Sequence, residues 1–490
     1  MSHPSGATRR SEPTAVEVDD RDVPLCVDLD GTLLRSDVLV ESALCLLRRN
    51  PLYALRFAGW LLRGKANLKR QIAARAALDV TLLPYEARVL EWLRGEAAPR
   101  RRVLCSAADQ TFVDAVAAHV GCFDEAFGSD GRRNLAGARK GEALAARYGE
   151  RGFDYAGNSS DDLHVWRRAR RAVVVNARGG IVRRARGSFD VERVFERDRR
   201  AWRAWPRALR LHQWLKNLLV FLPLLTAHLV LSPPALAGAA IAFLSLSVCA
   251  SGTYVLNDLL DLEADRRHPR KRERPFASGA LPLPAGFAAA PALILTGFAL
   301  AFAWSPPLAA VLLGYCALTL TYSFALKRVA MLDVVALAAL YTIRIIAGAV
   351  AIGVGVSFWL LAFSMFLFLS LAMVKRYTEL RMLLSSGQSR ASGRGYAVDD
   401  LPLVQALGAA SGYLSVLVFA LYINSTASEA LYRHPPLLWL LCPLLLYWIS
   451  RIWLVAHRGE MHDDPVVFAI TDRVSGVVLA LCAAAVIAAI

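Results

Sequence analysis

Two sets of aspartates stand where carboxylates can do more than carry charge. Asp28-Leu29-Asp30-Gly31-Thr32 directly follows the apolar run from Leu25, placing two carboxylates at a strand end with a glycine to release the turn. Such a pair suits nucleophilic attack and proton transfer at phosphorus. Alone it would also read as a capped turn, but Ser106 ends the next strand and Lys140 precedes a helix. Gly157-Asn158-Ser159-Ser160-Asp161-Asp162 follows a further strand. The second set is Asn257-Asp258-Leu259-Leu260-Asp261-Leu262-Glu263-Ala264-Asp265, closing a long apolar stretch. On a helix, positions 258, 261 and 265 share a face where a divalent ion can bridge them to a diphosphate. A solvated helix end is the plainer reading. Acids at that depth are costly without a partner, however, and the basic run His268 to Pro275 that follows suits phosphate.

The elements that must position these residues differ between the two parts of the chain. Before residue 210, short apolar runs at Leu25–Leu29, Val103–Cys105, Tyr155–Ala156 and Ala172–Val175 alternate with helical stretches such as Asp109–His119 and Gly141–Tyr148. That alternation predicts a doubly wound α/β domain with a parallel sheet and function at the carboxyl ends of the strands. Leu33 to about Arg100 reads as a helical insert. Its piece Leu52–Leu62, with Trp60, is apolar except for Arg56 and is flanked by Arg48, Arg49, Arg63, Lys65, Lys69 and Arg70. It suits both a cap core and a membrane-surface helix.

After Lys216 the chain is an all-α membrane bundle. Nine spans are expected, at 216–232, 234–256, 285–304, 307–326, 331–353, 356–374, 403–425, 436–456 and 474–490. Basic residues collect in the loops after the second, fourth, sixth and eighth spans, which predicts a cytoplasmic N-terminus and an outward C-terminus. The expected organisation is a disordered tail at 1–20, the α/β domain at 21–185 with its cap at about 33–100, a basic linker at 186–210 and the membrane domain at 211–490. Trp202 and Trp205 in the linker suit the head-group zone.

Composition excludes several classes. Of 490 residues 56% are hydrophobic, too many for a purely soluble chain. Much of the net charge of +16 sits in the linker and the loops without an aromatic stacking pattern or zinc-finger spacing, so anionic lipid and not nucleic acid is the expected partner. The eight cysteines form no C-x-x-C pair and read as reduced packing residues, and the polar first twenty residues form no signal peptide.

In order and type, the residues from 22 to 185 resemble the haloacid dehalogenase superfamily with a helical cap. The resemblance implies a phosphatase in which Asp28 attacks phosphorus and Asp30 shuttles protons. Thr32, Ser106 and Lys140 would hold the phosphoryl group, and magnesium would sit on Asp28, the Asp30 carbonyl and Asp161 or Asp162. Asn158 departs from the family, which places an acid directly after that glycine.

Residues 206 to 490 resemble the UbiA prenyltransferase superfamily through N-D-x-x-D-x-x-x-D and Arg274 to Gly279. They look closer still to its decaprenyl-phosphate phosphoribosyltransferase branch. The matching stretches are His212 to Asn217, Tyr322-Ser323 with Leu326-Lys327, Asp333-Val334, Tyr341 to Arg344 with Ala347-Gly348, Lys375-Arg376-Tyr377 with Glu379, and Gly393 to Tyr396. That likeness implies magnesium on Asp258 and Asp261, with Asp265 as a further ligand. It also implies phosphate-holding roles for Lys216, Asn217, Asn257, Lys271, Arg274, Tyr322, Lys327, Asp333, Arg344, Lys375 and Arg376. Aromatic prenyltransferases usually present a second D-x-x-x-D, whereas here Asp333 stands alone before Val334, Val335, Ala336 and Leu337.

The expected protein is therefore a bifunctional, magnesium-dependent enzyme of the bacterial inner membrane. One domain transfers 5-phosphoribose from 5-phosphoribosyl diphosphate to polyprenyl phosphate. The other removes the 5-phosphate, giving polyprenyl-phosphate ribose for cell-envelope glycan synthesis, and a homo-oligomer is compatible. The rival readings are a UbiA-type aromatic prenyltransferase with an independent or inactive phosphatase domain, and a non-catalytic membrane scaffold. Asp463, Asp464 and Asp472 near the last loop read equally well as solvated charges.

Overall fold

The computed structural model describes residues 21–50, 52–198, 201–387, 394–461 and 464–490; the tail expected at 1–20, Asp463 and Gly393 lie outside them. The chain forms two compact units. The first comprises the N-terminal part to Trp205 together with Leu259–Ala285, and the second comprises Pro206–Asp258 and Gly286–Ile490.

The first unit is built on six parallel strands: β1 Leu25–Val27, β2 Arg102–Asp109, β3 Glu125–Ser129, β4 Asp154–Gly157, β5 Ala172–Val175 and β6 Val191–Phe195. Their order is β3-β2-β1-β4-β5-β6. The register pairs Leu25 with both Arg102 and Asp154, so β1 is central. It is buried on both faces, as a parallel strand must be. Leu25 and Val27 enter one core with Leu104, Ala156 and Val173, and Cys26 enters the other with Val103, Tyr155 and Val174. The strand order reverses between β1 and β4, which opens a crevice at their carboxyl ends.

All four strands expected from the sequence form. The two not anticipated, β3 and β6, carry Glu125, Gly128, Glu192 and Arg193 and lack a continuous apolar run. β6 also lies inside the stretch 186–210 read as linker. Between β1 and β2 come α1 Val38–Arg49, α2 Tyr53–Leu62, α3 Lys65–Ala73 and α4 Ala87–Arg94. Asp37 starts α1 by accepting the Leu39 and Val40 N–H groups. The sheet crossovers add α5 Gln110–Val120, α6 Ala138–Tyr148, α7 Leu163–Trp166 and α8 Gly179–Ser188.

In the second unit and at its borders, seven helices among the described residues are long and apolar enough to cross a membrane: Pro233–Leu260, Leu283–Trp304, Pro306–Phe324, Leu332–Ala351, Phe358–Ser385, Val398–Ile423 and Pro435–Arg458. The expected count of nine is not reached. The first predicted span is a 3-10 stretch, Leu211–Phe221, and a short helix, Leu222–Thr226, ended by a left-handed His228. The ninth, Arg473–Ala489, is apolar but has 17 residues, short of the roughly 20 a straight span needs. Close packing rests on small residues: a Cβ on Gly408 would lie 2.3 Å from Trp453, and one on Gly412 would lie 2.6 Å from Ile449.

Candidate active site

At the end of β1, Lys140 from α6 donates to Asp28 Oδ1 at 2.6 Å and to the Tyr155 hydroxyl at 2.9 Å. Tyr155 in turn donates to Asp162 Oδ1 at 2.8 Å. The other Asp162 oxygen accepts from the Asn158 and Ser159 N–H groups and the Ser159 hydroxyl, at 2.8–2.9 Å. Asp162 thus shapes the loop after β4, while Asp161 is exposed. Burial pushes the Asp28 carboxyl up to about 6, with Lys140 opposing and Asp162 reinforcing the shift. Burial alone would lower the Lys140 ammonium, but Asp28 and Asp162 outweigh it and hold it above its ordinary value.

Asp30 is held well above the usual carboxylate range by burial and by the Asp37 and Asp28 charges, although Val38 N–H donates to it at 2.8 Å. A carboxyl that holds its proton more tightly in this way is suited to deliver one. Ser106 is fully buried on β2, where its hydroxyl accepts from Ala108 N–H at 3.0 Å. Thr32 Oγ1 is buried without a hydrogen-bond partner among the described residues. Lys69, from the cap, donates to the Ala107 carbonyl at 2.6 Å.

Asn158 follows Gly157 in the loop after β4. A Cβ on Gly31 would fall 1.9 Å from Asn158 Nδ2, so only glycine, here at φ +77°, lets the amide lie against the Asp28–Thr32 turn. A cavity of about 820 Å3 opens beside this point, lined by Gly31, Asn158, Arg35, Arg88 and Arg178, with Gly279 also in its wall. Tyr155, the link between Lys140 and Asp162, was not legible as functional, because an aromatic inside a strand reads as core.

The acidic run is less regular than an unbroken helix would make it. The helix Pro233–Leu260 ends before Asp261, and Leu262–Arg267 restarts after it, so the expected common face is interrupted. Asp258, 3% exposed, accepts from Arg210 Nη2 at 2.5 Å, and Arg210 lies over the Tyr254 ring. Asp265, also buried, accepts from Arg274 at 2.7 Å. Asn257 donates to Ser323 at 3.2 Å, and Lys271 is exposed. The division between the units falls directly after Asp258, leaving Asp261 and Asp265 in the first unit. No group of three or more His, Cys, Asp or Glu side chains placed to hold a metal occurs among the described residues.

Inside the second unit, four of the expected basic and polar residues come together. Lys216 and Lys375 both donate to Asp464 Oδ2, at 2.8 and 2.9 Å, and Tyr341 donates to the other oxygen at 3.2 Å. Arg344 donates to Asn217 Oδ1 at 2.8 Å and lies over the rings of Tyr315 and Tyr341. Asp333 and Arg376 differ from expectation: both are fully buried and pair with each other at 2.6 Å. Tyr396 donates to the same Asp333 at 2.6 Å. Arg376 follows Lys375 directly, about 100° further round the helix, and so points away from Asp464. Tyr322 and Lys327 are partly exposed near the end of Pro306–Phe324. Asp472 pairs with Arg451 at 2.6 Å and caps the last helix, a structural role.

The pattern of the UbiA prenyltransferase family matches residues 219–472. The chain belongs to this family. An uncharacterised protein of Sinorhizobium fredii is 38% identical over 482 residues, 97% of this chain and 93% of its own length. A decaprenyl-phosphate phosphoribosyltransferase of Mycobacterium tuberculosis is 32% identical over 277 residues, 55% of this chain and 88% of its own length. The solved structure of a UbiA homolog from Archaeoglobus fulgidus bound to GPP and Mg2+ aligns with a TM-score of 0.46 and 16% identity, over 58% of this chain and 99% of that one. This UbiA-family chain is accordingly a multi-pass membrane protein of the prenyl-phosphate transferase type. The matched region holds Asp258, Asp261, Arg344, Lys375 and Asp464, while Lys216 and Asn217 precede it.

Proposed function

We propose that the membrane domain transfers 5-phosphoribose from 5-phosphoribosyl diphosphate to polyprenyl phosphate, and that the first unit then removes the 5-phosphate. The observation that carries the transfer reading is the convergence of Lys216 and Lys375 on Asp464, with Arg344 over the ring of Tyr341, whose hydroxyl donates to the same carboxylate. Three cations gathered within an apolar bundle suit a ligand rich in phosphate, which a donor with a 5-phosphate and an acceptor phosphate together supply. The burial of Asp333 against Arg376 leaves no second acidic motif there, which favours this donor over a prenyl diphosphate. The name of the mycobacterial relative points the same way.

Magnesium fits the donor chemistry of both acid sets. Asp28 with the Asp30 carbonyl, and separately Asp258, Asp261 and Asp265, offer hard oxygen ligands. Burial and mutual charge at Asp28 and Asp30 are a condition a cation relieves, and Asp258 already faces a cation in Arg210. Magnesium, when bound, neutralises phosphate oxygens. In the transfer, an acceptor phosphate oxygen forms a bond to the ribose anomeric carbon as the bond to diphosphate breaks. The acceptor is already anionic, so Lys216, Lys375 and Arg344 serve to position it and the donor 5-phosphate.

In the first unit, Asp28 attacks phosphorus and Asp30 protonates the departing ribose oxygen. Lys140 keeps Asp28 ionised and in place, and Thr32 Oγ1 offers a donor to the phosphoryl group. Asp30 then takes a proton from the water that releases phosphate. Asp162 and Tyr155 hold the loop, with Asn158 in the place of the family's acid. The reading puts the protein in the bacterial inner membrane with the first unit in the cytoplasm.

Labelled 5-phosphoribosyl diphosphate and polyprenyl phosphate, incubated with the detergent-solubilised full chain and magnesium, should yield a labelled lipid. Asp258→Asn and Asp261→Asn should lower its formation by about 100-fold or more. Product from prenyl diphosphate and hydroxybenzoate instead would transfer the assignment to an aromatic prenyltransferase.

A further inference from the structure

We propose that α2 lies in the head-group layer of an anionic bilayer and seats the cap of the first unit on the membrane surface. No residue of Tyr53–Leu62 is buried. Leu52, Leu55 and Leu62 are 66%, 76% and 90% exposed, and with Gly59 between them they follow the 3-4-3 spacing of one helical stripe. On the other side Trp60 packs against both Tyr53 and Phe57, with ring centroids 6.1 and 5.9 Å apart, which stiffens the helix without covering the leucines.

Basic side chains rim the stripe. Arg49, Arg56, Arg63 and Lys65 are all exposed, and the stretch 52–65 holds no acid. An apolar ridge inside a cationic rim has the complement of acyl chains beneath anionic head groups. A bilayer is always within reach of a chain with seven helices able to cross one. A protein partner would need acidic residues arranged around an apolar groove, whereas the membrane supplies both features at once. The inference does not rest on either catalytic assignment, so it stands or falls separately from them.

The full chain can report on this directly. Cys45, Cys122 and Cys482 are the partly exposed thiols and are replaced by serine, leaving five buried cysteines unreactive in the native protein. Leu62→Cys is then labelled with an environment-sensitive fluorophore, with Glu142→Cys on α6 as the exposed control. In nanodiscs containing phosphatidylglycerol, the label at 62 should emit to the blue of the control and be quenched at least about twofold by doxyl lipids. Arg56→Gln, Arg63→Gln and Lys65→Gln together should reduce that quenching. Emission like that of the control would overturn the proposal, as would equal quenching in phosphatidylcholine alone. A blue shift that grows with protein concentration and resists doxyl quenching would assign the stripe to a second copy of the chain and likewise refute it.

Discussion

Glu86 is 1% exposed and holds three donors: Arg35 at 3.1 Å, Arg88 at 2.9 Å and the Asn176 amide at 2.9 Å. Burial alone would raise its carboxyl, but Arg88, Arg35 and Asn176 outweigh burial and bring it down to about 2. A carboxylate with a depressed folded value adds stability that is present above its unfolded value and lost as pH falls through the folded one. The first unit should therefore lose about 2 kcal/mol between roughly pH 4.5 and 2, after allowing for the partly exposed arginines. Thermal unfolding of Glu86→Gln across that range should show a shallower pH dependence than the wild type; parallel curves would disprove the assignment. At this scale the sequence was legible where residue type and the end of an element coincide, as at Asp28 after β1 and Lys140 in the first turn of α6. Arg210 and Asp464 were not, because each acquires its partner from a distant part of the chain, and Tyr155 was not, because an aromatic inside a strand reads as core.

Among the elements, the segment Leu259–Ala285 matters most to the candidate sites, since it carries Asp261, Asp265, Lys271 and Arg274. Arg266 forms two bonds to Glu41 of α1, at 2.6 and 3.0 Å, and donates to the Ala277 carbonyl at 2.9 Å. Both partners of this pair are buried, and Gly279, at φ +71°, packs where a Cβ would lie 2.8 Å from Arg35. Removing one partner of such a pair costs about 3–5 kcal/mol. Glu41→Gln should therefore speed amide exchange through 262–281 and weaken transfer, and Glu41→Arg with Arg266→Glu should restore part of both. Unchanged exchange in Glu41→Gln would show that the pair holds nothing. Apolar runs made the central strands and the long spans legible. Edge strands with charges, and a loop that packs onto the other half of the chain, leave no periodic trace.

For the whole molecule, the proposed pair of reactions on one chain predicts a separable defect. Asp28→Asn should leave phosphoribosyl transfer intact and accumulate a lipid with one more phosphate than the wild-type product, removable by an unrelated phosphatase. Identical phosphorylated lipids from wild type and variant, at saturating magnesium, would show that the first unit does not act on this substrate. The return of Leu259–Ala285 to the first unit has a consequence for how such a gene can be divided. The polypeptide leaves that unit at Trp205, comes back at Leu259 and leaves again after Ala285. A stop codon after Trp205 would yield a protein with all six strands but with Glu41 and Arg35 bare where Arg266 and Gly279 belong. Recombination that exchanges the N-terminal half alone would carry the same defect unless the incoming half also presents the counterparts of Glu41 and Arg35.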